Sequence, residues 1–366
     1  MKTRHDIRSV AENFQILADF QSAEPYGTGH INDTYAATYS QGGRPIRYIH
    51  QRINQNIFKN CPDLMENIER VTEHLRAKLA CQTDVTRRAL TLVPARDGRM
   101  FHIDAQGECW RTYVFIEEAR TYDAVESTKQ AFEAAKAFGQ FQGLLADLPS
   151  PRLHDTIPDF HDTPKRFAAL EKAIEADAAN RAQTARAEIE FALRHKPITG
   201  RLIDLQARGA LPERTTHNDT KFNNVMLDDA TQEGICVIDL DTVMPGLALY
   251  DFGDMVRTTT SPALEDERDL SKVCMQFPMF EALVRGYLAS TGNVLNKAEK
   301  QELAFSGKLI TFEIGIRFLA DYLAGDVYFK VHREGHNLDR CRTQFKLVES
   351  IEQQEEAMNR LVEGIS

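Results

Sequence analysis

Two polar segments set between apolar runs constrain the fold of this chain more than any other feature. The first reads Thr216-His217-Asn218-Asp219-Thr220-Lys221-Phe222-Asn223-Asn224, and the second Val237-Ile238-Asp239-Leu240-Asp241. Val225-Met226-Leu227 follows the first, and Ile235-Cys236-Val237-Ile238 leads into the second. Short apolar runs bounded by turn residues read as buried strands. The polar residues therefore fall on a loop and at a strand end, held by buried strands on either side. Asn, Asp and Thr are also ordinary turn residues, so an isolated H-x-D carries little weight. The weight comes from the joint pattern of H-x-D-x-K-x-x-N, apolar strand, short turn, apolar strand and Asp.

That set of side chains suits phosphoryl transfer. The Asp219 carboxylate can accept the proton of an attacking hydroxyl, and the Lys221 ammonium can offset charge on the moving phosphoryl group. The Asn224 amide and the Asp239 carboxylate can hold a Mg²⁺ that bridges the phosphates.

With 366 residues the chain is long enough for two lobes, each with a core. Its 42% hydrophobic and 27% charged residues are those of an ordinary soluble globular protein. The formal charge of −10 argues against general nucleic-acid or anionic-membrane partners, which favour basic surfaces. It leaves room for ATP, since a nucleotide site needs only a few local cations. The six cysteines (Cys61, Cys81, Cys109, Cys236, Cys274 and Cys341) are dispersed and form no C-x-x-C pair, so buried reduced thiols are expected. The charged start, Met-Lys-Thr-Arg-His-Asp-Ile-Arg, has no apolar signal core, and no apolar run is long enough to span a bilayer. The expected location is the cytoplasm.

Ile7, Val10, Ala11, Phe14, Leu17 and Phe20 recur at helical spacing and predict a helix over 5–20. Gly27-Thr28-Gly29-His30-Ile31-Asn32-Asp33-Thr34-Tyr35 then interrupts two strand-like segments, and a third strand is expected over 46–53 after Gly42-Gly43. Leu64, Ile68, Val71 and Leu75 share one face of a helix predicted over 62–79. Short strands near 90–94 and 100–103 lead into Trp110-Arg111-Thr112-Tyr113-Val114-Phe115-Ile116. Beyond Glu118 the chain reads as helical apart from the two strands around the motif, with helices over 127–147, 163–176, 180–195, 199–208, 249–260, 278–290, 297–324 and 337–364. Gly325 is placed to stop the seventh of these. The expected division is a nucleotide-binding lobe over 1–118 and a catalytic and substrate-binding lobe over 119–366, with a hinge at 116–122.

A small β-rich lobe, a larger helical lobe and H-x-D-x-K-x-x-N at their junction resemble the protein-kinase-like fold. The blocks Y-G-T-G-H-I-N-D-T-Y (26–35), Q-R-I-N (51–54), V-I-D-L-D-T-V-M-P-G-L-A-L-Y-D-F-G-D (237–254) and H-N-L-D-R-C-R-T-Q (336–344) resemble the aminoglycoside phosphotransferase and choline kinase family. Within it they look most similar to bacterial N-acetylhexosamine 1-kinases. The resemblance implies an α+β, bilobal fold: a small antiparallel β N-lobe with one helix, and a larger, mainly helical C-lobe. It also implies a catalytic base at Asp219, a phosphate-facing Lys221, and Mg²⁺ ligands at Asn224 and Asp239, with Asp241 assisting through water. ATP would lie against Gly27 and Gly29 of the phosphate loop, Arg52 of the third strand, and Tyr113, Phe115 and Ile116 of the strand that feeds the hinge. The acidic partner of Arg52 would be Glu66, Glu69 or Glu73 of the following helix. Asp251 would brace the catalytic loop, and Trp110-Arg111 would be core packing beside a structural ion pair. With no full G-x-G-x-x-G, V-A-I-K or A-P-E, the chain does not read as a protein kinase.

The same resemblance puts His30, Asp33, Arg317 and Tyr328 at the sugar site. Arg317 can instead pair with Glu313 and Asp321 on its own helix face, Tyr328 can be a packed core ring and His30 part of a turn. Three functions compete. The first is ATP-dependent phosphorylation of the anomeric hydroxyl of N-acetylglucosamine or N-acetylgalactosamine. The second is phosphorylation of an aminoglycoside or a choline-like amino alcohol, whose pocket should be lined by carboxylates. The third is a non-kinase role, as a binding module or a hydrolase built on Asp239, Asp241, Asp251 and Asp254. The joint presence of Asp219, Lys221, Asn224 and Asp239 disfavours the third.

Overall fold

The computed structural model describes residues 5–27 and 31–365. The chain opens with α1 (Ile7–Ala11), capped by Asp6, which accepts the Ser9 N–H at 3.3 Å. The helix expected over 5–20 ends there. Phe14 bridges Ala95 in extended conformation, Leu17 is 88% exposed, and Phe20 already belongs to β1 (Asp19–Pro25). Helical spacing in this stretch yields to the ladder that β2 (Asp33–Gln41) offers β1.

β3 (Arg44–Arg52), β4 (His102–Ile103) and β5 (Cys109–Val114) complete an antiparallel sheet of order β1-β2-β3-β5-β4. The strand expected near 90–94 is reduced to an isolated bridge between Leu92 and Tyr113. α2 (Cys61–Lys78) begins at Asn60, which accepts the Asp63 N–H at 3.3 Å, and buries Leu64, Ile68, Val71 and Leu75. Its buried Asn67 donates to the carbonyls of His154 and Val243 and accepts the His154 N–H, so α2 is tied to the second half of the chain. One cysteine expectation is corrected: Cys61 and Cys109 form a disulfide. They lie 48 residues apart, yet the start of α2 packs on β5, with the two Cα atoms 6.7 Å apart. Cys236 and Cys341 are buried thiols, while Cys81 and Cys274 are exposed.

After α3 (Val85–Arg88) and the crossing at 114–121 the chain is mainly helical: α4 (Thr128–Leu144), α5 (Thr163–Ala176), α6 (Arg186–His195), α7 (Arg201–Ala207), α8 (Ala248–Thr259), α9 (Phe277–Thr291), α10 (Lys297–Gln301), α11 (Leu303–Ala324) and α12 (His336–Ile365). The helix expected over 297–324 is two, divided at Glu302, and Gly325 ends α11 at φ +96°. α4 and α9 pack so closely that a Cβ on Gly286 would stand 2.2 Å from the Phe132 carbonyl oxygen.

Among the helices lie β6 (Ala119–Arg120), β7 (Arg214–Thr216), β8 (Val225–Asp228), β9 (Gly234–Val237) and β10 (Met244–Gly246). β6-β8-β9 form one small sheet and β10-β7 another. β6, β7 and β10 went unforeseen because two or three residues are too few to show a period of two. One apolar core runs through α2, β5, α4, β8, β9, α8 and α9, so the β-rich and helical parts are not separated by a polar seam. Among the described residues no helix is long and apolar enough to cross a membrane.

Candidate active site

The loop between β7 and a short 3-10 turn, Phe222–Asn224, holds Asp219. Asn218 adopts φ +65°, a conformation that Asn tolerates better than most residues. Asp251 of α8 is buried and accepts the backbone N–H of His217 at 3.0 Å and of Asn218 at 2.7 Å, while Thr220 Oγ1 donates to the Asp251 carbonyl. His217 Nε2 donates to the Ile238 carbonyl, and its Nδ1 accepts the Asp219 N–H at 3.3 Å. That pairing defines the neutral Nε2–H tautomer. The loop is thereby fixed to the strand that carries the second motif.

Lys221 Nζ lies 3.0 Å from Asp219 Oδ1, and Asn224 Nδ2 donates to the Asp219 carbonyl at 2.8 Å and to Oδ2 at 3.3 Å. Burial pushes the Asp219 carboxyl up, but the charge and hydrogen bond of Lys221, with the further charges around it, together outweigh this and leave it below its ordinary value. Because Asn224 donates through Nδ2, its Oδ1 remains available to a cation.

Past β9 the two acidic residues diverge. Asp239 sits at φ +59° with its side chain open to the cleft. Among the described residues no donor hydrogen-bonds its carboxylate. Surrounding protein, then the charges of Asp241 and Asp219, push its carboxyl up to about 6. Asp241 is buried, with Oδ1 bonded to Arg111 Nη1 and Oδ2 accepting Asn32 Nδ2 at 2.6 Å. Each of its oxygens is thus held by a protein donor, unlike those of Asp239. Burial opposes the charge on Arg111, and the Asp241 carboxylate more than restores it.

Strand register decides which N-lobe cation faces the cleft. Gln51 pairs with Arg111 across β3 and β5, and Thr34 with Gln51 across β2 and β3, so these three share one face. They are joined there: Arg111 Nε and Nη2 donate to Gln51 Oε1 at 2.9 and 2.6 Å, and Gln51 Nε2 donates to Thr34 Oγ1. Arg52 and Asp33, one residue along, point to the other face. Arg52 pairs there with Asp33 at 2.6 Å and Glu108 at 2.7 Å, and His5 lies 3.5 Å from Asp33. Two expectations are corrected. Arg52 does not line the cleft and pairs with no glutamate of α2, and Asp33 belongs to that far-side ion cluster rather than to a substrate pocket.

The cleft encloses about 190 Å³. Ile49, Leu90, Val114, Ile116, Met226 and Ile238 make it apolar at one side, while Thr34, Gln51, Arg111, Thr121, Asn223, Asn224 and Asp239 are among its polar groups. Tyr113, Phe115 and Gly27, the last at φ +77°, also line it. Gly29 and His30 lie outside the described residues.

Arg317 and Tyr328 meet at a second hollow between α5 and α11, with Arg166, Ala169, Ala320 and Phe329. Arg317 forms no salt bridge with its helix neighbours, because Glu313 binds His161 and Thr163 and Asp321 accepts the N–H groups of Val327, Tyr328 and Phe329, although the Glu313 charge is felt at Arg317. The Arg317 guanidinium instead lies 5.1 Å from the Phe160 ring centre and 5.7 Å from that of Phe329. Burial, then the Arg166 charge, lower its pKa from the ordinary value. Tyr328 is 59% exposed and is therefore no core ring.

Residues 22–273 match the phosphotransferase enzyme family, APH. The chain belongs to that family. Its fold is similar to an aminoglycoside phosphotransferase from Alicyclobacillus acidocaldarius at TM-score 0.64 and 12% identity, covering 100% of this chain and 98% of the other. It is also similar to a spectinomycin phosphotransferase solved with ADP and spectinomycin, at TM-score 0.53, 14% identity and coverage of 93% and 94%. A choline kinase from Cryptosporidium parvum matches at TM-score 0.53, 16% identity and coverage of 93% and 91%. The α+β, kinase-like architecture expected from the resemblance is the one observed.

Several residues around this phosphotransferase site escaped the sequence reading. Gln51 and Arg111 needed the β3-β5 register to reveal their face. Arg257 of α8, ion-paired to Asp254 at 2.8 Å, is buried close enough to Asp219 for its charge to be felt there. Its spacing of three from Asp254 was the one available signal.

Proposed function

We propose that this phosphotransferase is an ATP- and Mg²⁺-dependent kinase that places a phosphoryl group on the anomeric hydroxyl of an N-acetylhexosamine. The observation that carries the substrate class is the hollow around Arg317. Arg166 and Arg317 both line it, and the one carboxylate there, Asp321, is engaged by three backbone N–H groups and Asn337. A pocket for a cationic aminoglycoside or amino alcohol needs uncommitted carboxylates. This one offers donors to hydroxyl or carbonyl oxygens, and the Phe329 ring and alanines give apolar room for a methyl. In support, the spectinomycin phosphotransferase with the same fold was solved with ADP.

In this reading the apolar side of the cleft takes the adenine, and Arg111 faces the phosphates from the sheet. Asn224 Oδ1 and the Asp239 carboxylate are oxygen donors of the kind a hard cation takes, so both fit Mg²⁺. Bound Mg²⁺ would offset charge on the nucleotide phosphates. Asp219, kept ionised by Lys221, accepts the proton of the acceptor hydroxyl. As phosphate enters, Lys221 has a second anion to meet beside Asp219, which leaves the carboxylate free to act as base. The test is incubation with ATP·Mg²⁺ and a panel of hexosamines, aminoglycosides and amino alcohols, with the phosphate located by ³¹P NMR. Transfer to amino alcohols or aminoglycosides and to no sugar would overturn the assignment.

A further inference from the structure

The peptide unit joining Asn218 to Asp219 is held at both ends by histidines. His217 Nδ1 accepts the Asp219 N–H, and His161 Nε2 lies 3.1 Å from the Asn218 carbonyl oxygen. The other nitrogen of His161, Nδ1, is 2.8 Å from Glu313 Oε1. Thr163 Oγ1 donates to Glu313 Oε2 at 2.6 Å, so the carboxylate is bonded on both oxygens. His161 is 6% exposed and Glu313 0% exposed, and the ring is packed between Phe160 and Tyr250.

Hydrogen-bond chemistry fixes the state of this ring. A carbonyl oxygen and an ionised carboxylate both accept, so beside an ionised Glu313 each ring nitrogen of His161 donates. The arrangement is satisfied by an imidazolium facing an ionised Glu313, a charge-assisted pair with no orphaned polar atom on the ring. Burial works against the ionised carboxylate, and the charge and hydrogen bond of His161, with the Arg317 charge and the Thr163 hydrogen bond, together outweigh it. Asp251 also senses the ring: burial raises its carboxyl, and His217, the Asn218 N–H and the His161 charge act in the other direction.

The chain of contacts has a direction. Glu313 lies one turn before Arg317 on α11, and Arg317 stacks on Phe160, the neighbour of His161. Movement of α11 at the acceptor hollow would therefore reach the carbonyl beside Asp219 through two hydrogen bonds.

We propose that His161 is a positioning residue for the catalytic base: a doubly protonated link by which Glu313 on the substrate-side helix orients the Asn218–Asp219 peptide. It rests on the reading of Asp219 as base. His161 does not line the nucleotide cleft, and both its ring nitrogens are spent on Glu313 and Asn218, so its loss should misplace the Asp219 carboxylate while leaving that cleft intact.

Two measurements on the full chain test this. In ¹⁵N-histidine-labelled protein at neutral pH, with His161→Gln used for assignment, His161 should show two protonated ring nitrogens and His217 only one. A bare Nδ1 on His161 overturns the inference, whatever the acceptor proves to be. His161→Gln should lower kcat about 100-fold, the cost of displacing a reacting group by roughly 1 Å, with KM for ATP unchanged. A folded His161→Gln protein with near-normal kcat overturns it too. Glu313→Gln should convert His161 to the one-proton form, because the amide can donate to Nδ1 while Nε2 still donates to Asn218. Two protons remaining on the ring in that variant would mean that Glu313 does not set its state. If the wild type phosphorylates no hexosamine, the acceptor assignment fails, and the ring signature still decides the role of His161.

Discussion

Arg111 and Asp241 form an ion pair almost closed to solvent, their side chains 1% and 3% exposed, and it ties the five-stranded sheet to the segment after β9. Breaking such a pair strands a buried charge, which costs about 3–5 kcal/mol, whereas replacing both partners with apolar side chains is often near neutral. Arg111→Met should therefore lower unfolding free energy by that amount in urea titrations. Arg111→Met with Asp241→Leu should recover part of it, the remainder reflecting Asn32 and Gln51, which also lose their partners. Equal losses in the single and double variants would mean that the pair does not act as a unit.

Asp219→Asn should keep the fold and nucleotide affinity while lowering kcat by on the order of 10²–10⁴-fold, the range of general-base catalysis. The loss should fall on kcat because the interaction matters as the proton leaves. Near-normal kcat in a soluble variant would remove Asp219 from the mechanism.

Asp239→Asn and Asp241→Asn should differ in kind. Asp239 opens on the cleft with no protein donor on its carboxylate among the described residues, and the charges of Asp241 and Asp219 oppose its own, so its loss should raise the Mg²⁺ requirement and raise rather than lower the melting point. Asp241 holds Arg111 and Asn32, so its loss should lower the melting point and leave the Mg²⁺ requirement much less affected. Mg²⁺ titration beside thermal melting separates the two, and a shared metal defect would restore Asp241 to the cation.

What could be read from the sequence followed the range of the interactions involved. Asp219, Lys221 and Asn224 lie within six consecutive residues, and a loop that short can bring them together only in a few ways. Asp251 was legible because its motif travels with the loop it braces. Arg52 and Arg111 were not distinguishable in the same manner: each is an arginine on a strand, and a shift of one position reverses the face. Only the pairing of Gln51 with Arg111 settles which one meets the cleft. The Cys61–Cys109 bridge and the His161–Glu313 pair join residues far apart in the chain, and no local period announces them.

Stability should depend on pH through His50, on the far face of the sheet. It is fully buried between Tyr39 Oη at 2.7 Å and Thr112 Oγ1 at 2.8 Å, and burial lowers its pKa to about 4. The unfolded chain, with an ordinary histidine near 6.5, binds the proton first as pH falls. Stability is therefore lost progressively from about pH 6.5 down to about 4, and by pH 5 the loss is about 2 kcal/mol. Urea unfolding at pH 7 and pH 5 should show a difference that shrinks by about that amount in His50→Gln. An unchanged difference would assign the acid sensitivity to other groups.

Arg317→Ala should raise KM for the hexosamine and leave KM for ATP unaltered. A hydrogen bond from a charged donor contributes about 1.5–3 kcal/mol, or roughly 10- to 150-fold in affinity. The same substitution should also cost about 2 kcal/mol of stability, because Arg317 is desolvated where it stacks on Phe160 and Phe329, although it makes no salt bridge with Glu313 or Asp321. The two roles thus move different observables. Sugar titration and thermal melting on one purified variant tell them apart: a lowered melting point with normal sugar KM would make Arg317 a packing residue, and the assignment of a neutral sugar over a cationic acceptor would lose the observation on which it rests.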